Sequence, residues 1–90
     1  MSSSRIRFSQ HAMLKFQVLK EHGLELNQEE VEEAVRAPSR ISPGYHGRIV
    51  AQSPLDEERL IRVVYEERAG EIIIITFYPA RRARYEKDTV

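Results

Sequence analysis

The chain has no cysteine, which excludes disulfide staples and thiolate metal sites and fits a reducing compartment. No apolar run approaches the length of a bilayer span, and Met1-Ser2-Ser3-Ser4-Arg5 has no apolar segment behind it. Neither a membrane span nor a secretory leader is therefore expected, and the expectation is a cytoplasmic protein. Glycine-rich phosphate loops, nucleophile elbows and metal-spaced histidine pairs are all missing. His11 and His22 stand too far apart along one predicted helix to chelate a common ion, so no metal and no cofactor is expected. Net charge is absent too. Lysine plus arginine and aspartate plus glutamate number 14 each, which weighs against a protein that coats nucleic acid non-specifically.

What is present is enough for one domain. Ninety residues, 41% hydrophobic and 31% charged, suit a single unit over 1–90 with a modest core and frayed ends at 1–4 and 87–90. The charges are segregated along the chain. Arg5, Arg7, Lys15 and Lys20 precede any acid, and Glu21, Glu25, Glu29, Glu30, Glu32 and Glu33 follow without a base.

The strongest local signal is Ile72-Ile73-Ile74-Ile75-Thr76-Phe77-Tyr78, seven β-branched or aromatic residues between a glycine turn and a proline. It predicts a central strand covered on both faces. Pro79 suits the first position of a helix, which would carry Arg81, Arg82 and Arg84 into its first turns. That end of a helix is already positive, so the arginines break a local electrostatic rule unless an anion binds there. The alternative is a solvated helix with Arg82 paired to Glu86 one turn on.

Taken in order, Arg5-Ile6-Arg7-Phe8 alternates like a short edge strand. Ser9 is placed to cap a helix over 10–21 that Gly23 ends, with Ala12, Phe16 and Leu19 on its core face. His11 and Lys15 share a second stripe, where an imidazole can exchange protons near neutral pH and an ammonium can hold a phosphate. Surface placement is the plainer reading of both. The next helix opens with Asn27 and Glu30 as a capping box, Leu26 and Val31 as a staple, and Val31, Ala34 and Val35 as a buried stripe. Pro38 stops it. Residues 40–47 read as a connection turning at Ser42-Pro43-Gly44, followed by a strand over 48–52. A strand over 60–66 then hairpins through Arg68-Ala69-Gly70 into the isoleucine strand. Arg62 interrupts one apolar face of that strand. It can snorkel to the sheet edge, pair with an acid or offer its guanidinium to a ligand.

Ser9-Gln10-His11-Ala12 at a helix start, a capped second helix ending in Ala37-Pro38, and the run from Ile74 through Pro79-Ala80-Arg81-Arg82-Ala83-Arg84-Tyr85-Glu86 together resemble a prokaryotic group. It is the family of small domains grouped with BrnT-like and RelE/ParE-type toxins. The resemblance implies an α+β fold: two N-terminal helices packed on a three- to four-stranded antiparallel sheet, with a short C-terminal helix. It also implies messenger RNA cleavage without metal, often on the ribosome, with an antitoxin partner, or action on a topoisomerase in ParE-type members. The carry-over reaches His11, Lys15, Arg48, Arg81, Arg82 and Tyr85. The chain departs from the pattern in being neutral, with a very acidic second helix.

Two functional expectations follow. The first is an RNA-directed domain, in its specific form a metal-independent endoribonuclease. His11, Lys15 and Arg82 would be its catalytic groups, and Arg48, Arg81, Arg84 and Tyr85 would bind phosphate or RNA. The second is a non-enzymatic interaction module or homodimer, using Leu14 and Val18 on the first helix.

Overall fold

A computed structural model describes residues 5–86; the expected frayed ends at 1–4 and 87–90, and the side chain of Glu86, lie outside the described residues. The elements run β1 (Arg5–Phe8), α1 (Gln10–Glu21), α2 (Gln28–Arg36), β2 (Arg40–Pro43), β3 (Ile49–Pro54), β4 (Arg59–Arg68), β5 (Glu71–Arg81) and α3 (Arg82–Glu86). The fold is α+β, with a five-stranded sheet in the order β1-β5-β4-β3-β2. It is mixed rather than wholly antiparallel: β2 to β5 form a meander, and β1 pairs with β5 in parallel. No described helix is long and apolar enough to cross a membrane.

Helices α1 and α2 cover one face of the sheet. Ser9 caps α1 by accepting the Ala12 N–H at 3.1 Å, and its own hydroxyl donates to the Ile75 carbonyl at 2.9 Å. The cap thus ties the helix start to β5, beside a register shift opposite Val64 and Tyr65. Ala12 and Leu19 are buried, and the Phe16 ring lies 4.7 Å from Phe77 and 5.6 Å from Phe8. Gly23, at φ 89°, lets the chain leave α1, while the Leu24 N–H closes back on the Leu19 carbonyl. The capping box of α2 is complete in both directions, and Val31, Ala34 and Val35 are its buried residues. They meet Ala51, Ile61, Val63, Tyr65, Ile74 and Phe77 in one core.

Three local expectations are corrected. The β5 isoleucines are not covered equally on both faces, since Ile74 and Phe77 are fully buried while Ile73, Ile75 and Tyr78 are half-buried. The connection after α2 contains a strand: β2 pairs with β3 over Arg40 to Pro43, although Ile41 is 57% exposed. Backbone pairing at a sheet edge holds it, so it carries no burial pattern, and an edge tolerates its proline.

The helix expected from Pro79 is not there either. Strand β5 continues to Arg81 because β1 pairs only with Glu71 to Ile74 and leaves the rest of β5 as an edge. The Arg82 N–H donates to the Glu58 carbonyl at 2.9 Å. By strand alternation the nitrogen of Pro79 then faces away from β4, where no ladder hydrogen bond is lost.

Candidate nucleic-acid interface

The face of the sheet away from α1 and α2 carries one polar row built by strand pairing. Arg40 on β2 stands beside Gln52 on β3, Gln52 beside Arg62 on β4, and Arg62 beside Tyr78 on β5. Gln52, Arg62 and Tyr78 alternate with the core residues Ala51, Val63 and Phe77, and pairing with Gln52 puts Arg40 on the same side, so all four side chains emerge on the open side. Gln52 is the only buried polar residue among those described, at 4% exposure. Its Oε1 accepts from Arg62 Nη1 at 2.5 Å, and the Tyr78 hydroxyl accepts from Arg62 Nε at 3.0 Å. The Tyr85 ring of α3 lies against the guanidinium, 4.2 Å from Cζ to the ring centroid. Arg40 Nη1 donates to the Tyr85 carbonyl at 3.3 Å, and the Arg84 guanidinium carbon is 5.9 Å from the same ring.

Arg62 is therefore fixed on three sides by neutral groups. Among the described residues no carboxylate forms an ion pair with Arg40, Arg62 or Arg84, whereas Arg7, Arg36, Arg48, Arg59 and Arg68 each have one. A half-buried cation usually recruits an acid, because desolvation penalises an unpaired charge. Here the charge is oriented and left to face a cleft of about 240 Å³ lined by Arg40, Ser42, Gln52, Arg62, Arg84 and Tyr85. Arg62 also borders a second cleft of about 240 Å³, lined by Pro43, Gly44, Tyr45, Arg48, Val50, Val64 and Tyr78.

Two larger depressions lie elsewhere and suit an anion less well. One, of about 530 Å³ between α2 and the end of β3, has Glu29, Glu30 and Glu33 around it. The other, of about 630 Å³, mixes Glu57 and Glu58 with Arg59, Arg81 and Arg82.

The loop between β3 and β4 holds α3 in place. Asp56 Oδ1 accepts the N–H groups of Glu58 (2.9 Å) and Arg59 (2.6 Å), while Oδ2 meets the Arg59 side chain at 3.0 to 3.1 Å. The Arg59 and Glu58 N–H groups, followed by the Arg59 side chain, hold the Asp56 carboxyl below its ordinary value. Arg82 is bound to this loop twice, by its N–H to the Glu58 carbonyl and by Nη1 to the Asp56 carbonyl, both at 2.9 Å.

The residues singled out from the sequence fall into separate places. His11 and Lys15 are on α1, which packs on the covered face, and neither lines the two clefts at Arg62. Arg48 is on the open side, but its Nε is 3.3 Å from Glu66 Oε2. Arg81 is exposed at the end of β5 opposite Arg59, so it belongs to a strand and not to a helix start. Arg82 opens a helix of only five residues, whose first N–H is already used by Glu58. Arg84 and Tyr85 join the polar row, with one face of the Tyr85 ring occupied by Arg62.

Sequence reasoning did not select Arg40, Gln52 or Tyr78. Their spacings follow no helix or strand period and become meaningful only in register; the interruption at Arg62 was the available signal. Compared with known proteins, the chain matches no family model, no curated protein and no solved structure.

Proposed function

We propose that the chain is an RNA-directed domain that holds a phosphate of the RNA backbone on the open face of its sheet. The observation that carries this reading is Arg62: a half-buried guanidinium locked by Gln52, Tyr78 and Tyr85, with no carboxylate partner among the described residues. Arg40 and Arg84 line the same cleft, so three cations converge where a phosphate oxygen would sit. Net neutrality of the chain fits a local contact better than a broad electrostatic footprint.

In the metal-independent endoribonuclease form of the proposal, these guanidiniums stabilise charge developing on the scissile phosphate. The Tyr78 hydroxyl is already held against Arg62 by a hydrogen bond from its Nε. His11 and Lys15, expected from the sequence to be catalytic, line neither cleft at Arg62 and take no part in this form. Cleavage of a labelled RNA should persist in EDTA, and a requirement for a divalent ion would sink this form.

Binding is tested with a short single-stranded RNA by fluorescence anisotropy over a salt series. Arg84→Ala, on the exposed helix, and Arg62→Met should each weaken binding about tenfold and lower the salt slope by about one. Unchanged affinity and slope in both folded variants, or no binding by the parent chain at low salt, would overturn the reading.

A second reading rests on α1, where Met13, Leu14 and Val18 are 44%, 68% and 44% exposed. An apolar strip of this kind suits self-association without catalysis. Sedimentation should then show a dimer that Leu14→Glu dissociates; a monomer at all concentrations would remove it.

A further inference from the structure

Resting on the RNA reading, we infer that the second cleft at Arg62 receives an unpaired base, so that the open face recognises single strands. The two clefts are equal in volume, about 240 Å³ each, share Arg62 and differ in chemistry. The first is lined by three arginines with Gln52 and Ser42. The second is walled by Pro43, Val50, Val64, Tyr45 and Tyr78. Its one other cation, Arg48, is paired with Glu66 at 3.3 Å. A ligand that spans both has an anionic end and a flat, largely apolar end within one residue's reach of each other. A nucleotide has that form.

Tyr45 is placed to stack on such a base. It is 87% exposed and adds nothing to the core, so its position is not explained by packing. The tip of the β2–β3 hairpin nevertheless holds it in a defined place. His46 and Gly47 both take positive φ, at 58° and 76°, and the Arg48 N–H closes the turn on the Tyr45 carbonyl at 3.1 Å. The hairpin stem is pressed onto β3 at Gly44. A Cβ there would come within 3.3 Å of both the Arg48 carbonyl oxygen and Val50 Cγ2, so a side chain at this position would require its neighbours to give by a few tenths of an ångström. Tyr85, expected from the sequence to bind phosphate or RNA, already has Arg62 against its ring. In a duplex the bases are paired and stacked inward, and none can enter the cleft without first being extruded.

The test measures anisotropy of a short single-stranded RNA, the same sequence as a duplex, and a strand of equal length with abasic sites, against the parent chain, Tyr45→Ala, Tyr45→Phe and Arg62→Met. The single strand should bind at least tenfold tighter than the duplex. Tyr45→Ala should lose about tenfold on it with an unchanged salt slope, because stacking on a ring releases no counterions. Tyr45→Phe should restore binding, and the abasic strand should bind the parent chain and the Tyr45→Ala variant equally. Equal binding of duplex and single strand, or no effect of Tyr45→Ala while Arg62→Met still weakens binding, overturns the base cleft and leaves the phosphate reading standing. Failure of every strand to bind the parent chain removes both.

Discussion

The covered and open faces of the sheet are made by alternate residues of the same strands, yet they are held together by different physics. On β4, Ile61, Val63 and Tyr65 enter the core beneath α1 and α2, while Arg62 and Val64 between them face the clefts. The tyrosines show the difference. Burial, with a smaller contribution from Glu67, pushes the Tyr65 phenol above its ordinary value. On the other side, the Tyr78 phenol accepts a hydrogen bond from Arg62. Apolar burial is concentrated on one face, and this leaves the other free to carry a polar row that would be costly in a core. Leu60 qualifies the division. It is fully buried although it alternates with Ile61, at the end of the sheet where α3 follows β5.

The largest expected effect tests whether the two faces differ in stability as they do in chemistry. Phe77→Ala removes a fully buried ring in contact with Phe16 and should cost about 3–5 kcal/mol, a large share of a small domain's total. Arg62→Met should cost less, about 1–3 kcal/mol, mainly through the unpaired Gln52 oxygen left behind. Urea denaturation of the two variants measures both. Equal losses would mean that the open face is a second structural core, and the case for Arg62 as a ligand group would weaken accordingly.

Much of the covered face was legible in the sequence because its rules are local. Ser9 and Asn27 cap the helices they precede, and Val31, Ala34 and Val35 form the predicted stripe. The open face was mostly illegible because its rules are not. Pro79 satisfies the local signature of a helix start, and only the shortness of β1, more than sixty residues earlier in the chain, makes an edge that accepts it. With the helix displaced to Arg82, the apparent conflict between arginines and a helix dipole loses its basis, since Arg81 lies in β5 and α3 has five residues. Arg62 did stand out as a charge on an apolar face. Its partners could not be chosen from an acid, an edge and a ligand until register brought Gln52 and Tyr78 beside it. His11 and Lys15 were paired with the C-terminal arginines by chemical type alone, and a sheet separates α1 from the Arg62 row.

The smallest expected effect concerns the loop that joins the end of the sheet to α3, and hence to Tyr85 on the open face. Asp56 binds the N–H groups of Glu58 and Arg59, and these lower its folded carboxyl value below the ordinary 3.8. A carboxyl depressed on folding contributes stability that is fully present above its unfolded value and is lost as pH falls through the folded one. The carboxyl is solvent-exposed, so the loss should be local rather than global. Amide exchange read by NMR should show steady protection at Glu58 and Arg59 above pH 3.8, declining below it, with Arg82 following because its N–H and Nη1 are tied to the same loop. In Asp56→Asn a neutral oxygen still accepts, so protection should be lower near neutrality and lose its acid dependence. If Arg59 loosens in acid while Arg82 does not, the Asp56 turn does not position α3. The placement of Tyr85 would then rest on contacts outside that turn, among them those with Arg62 and Arg40.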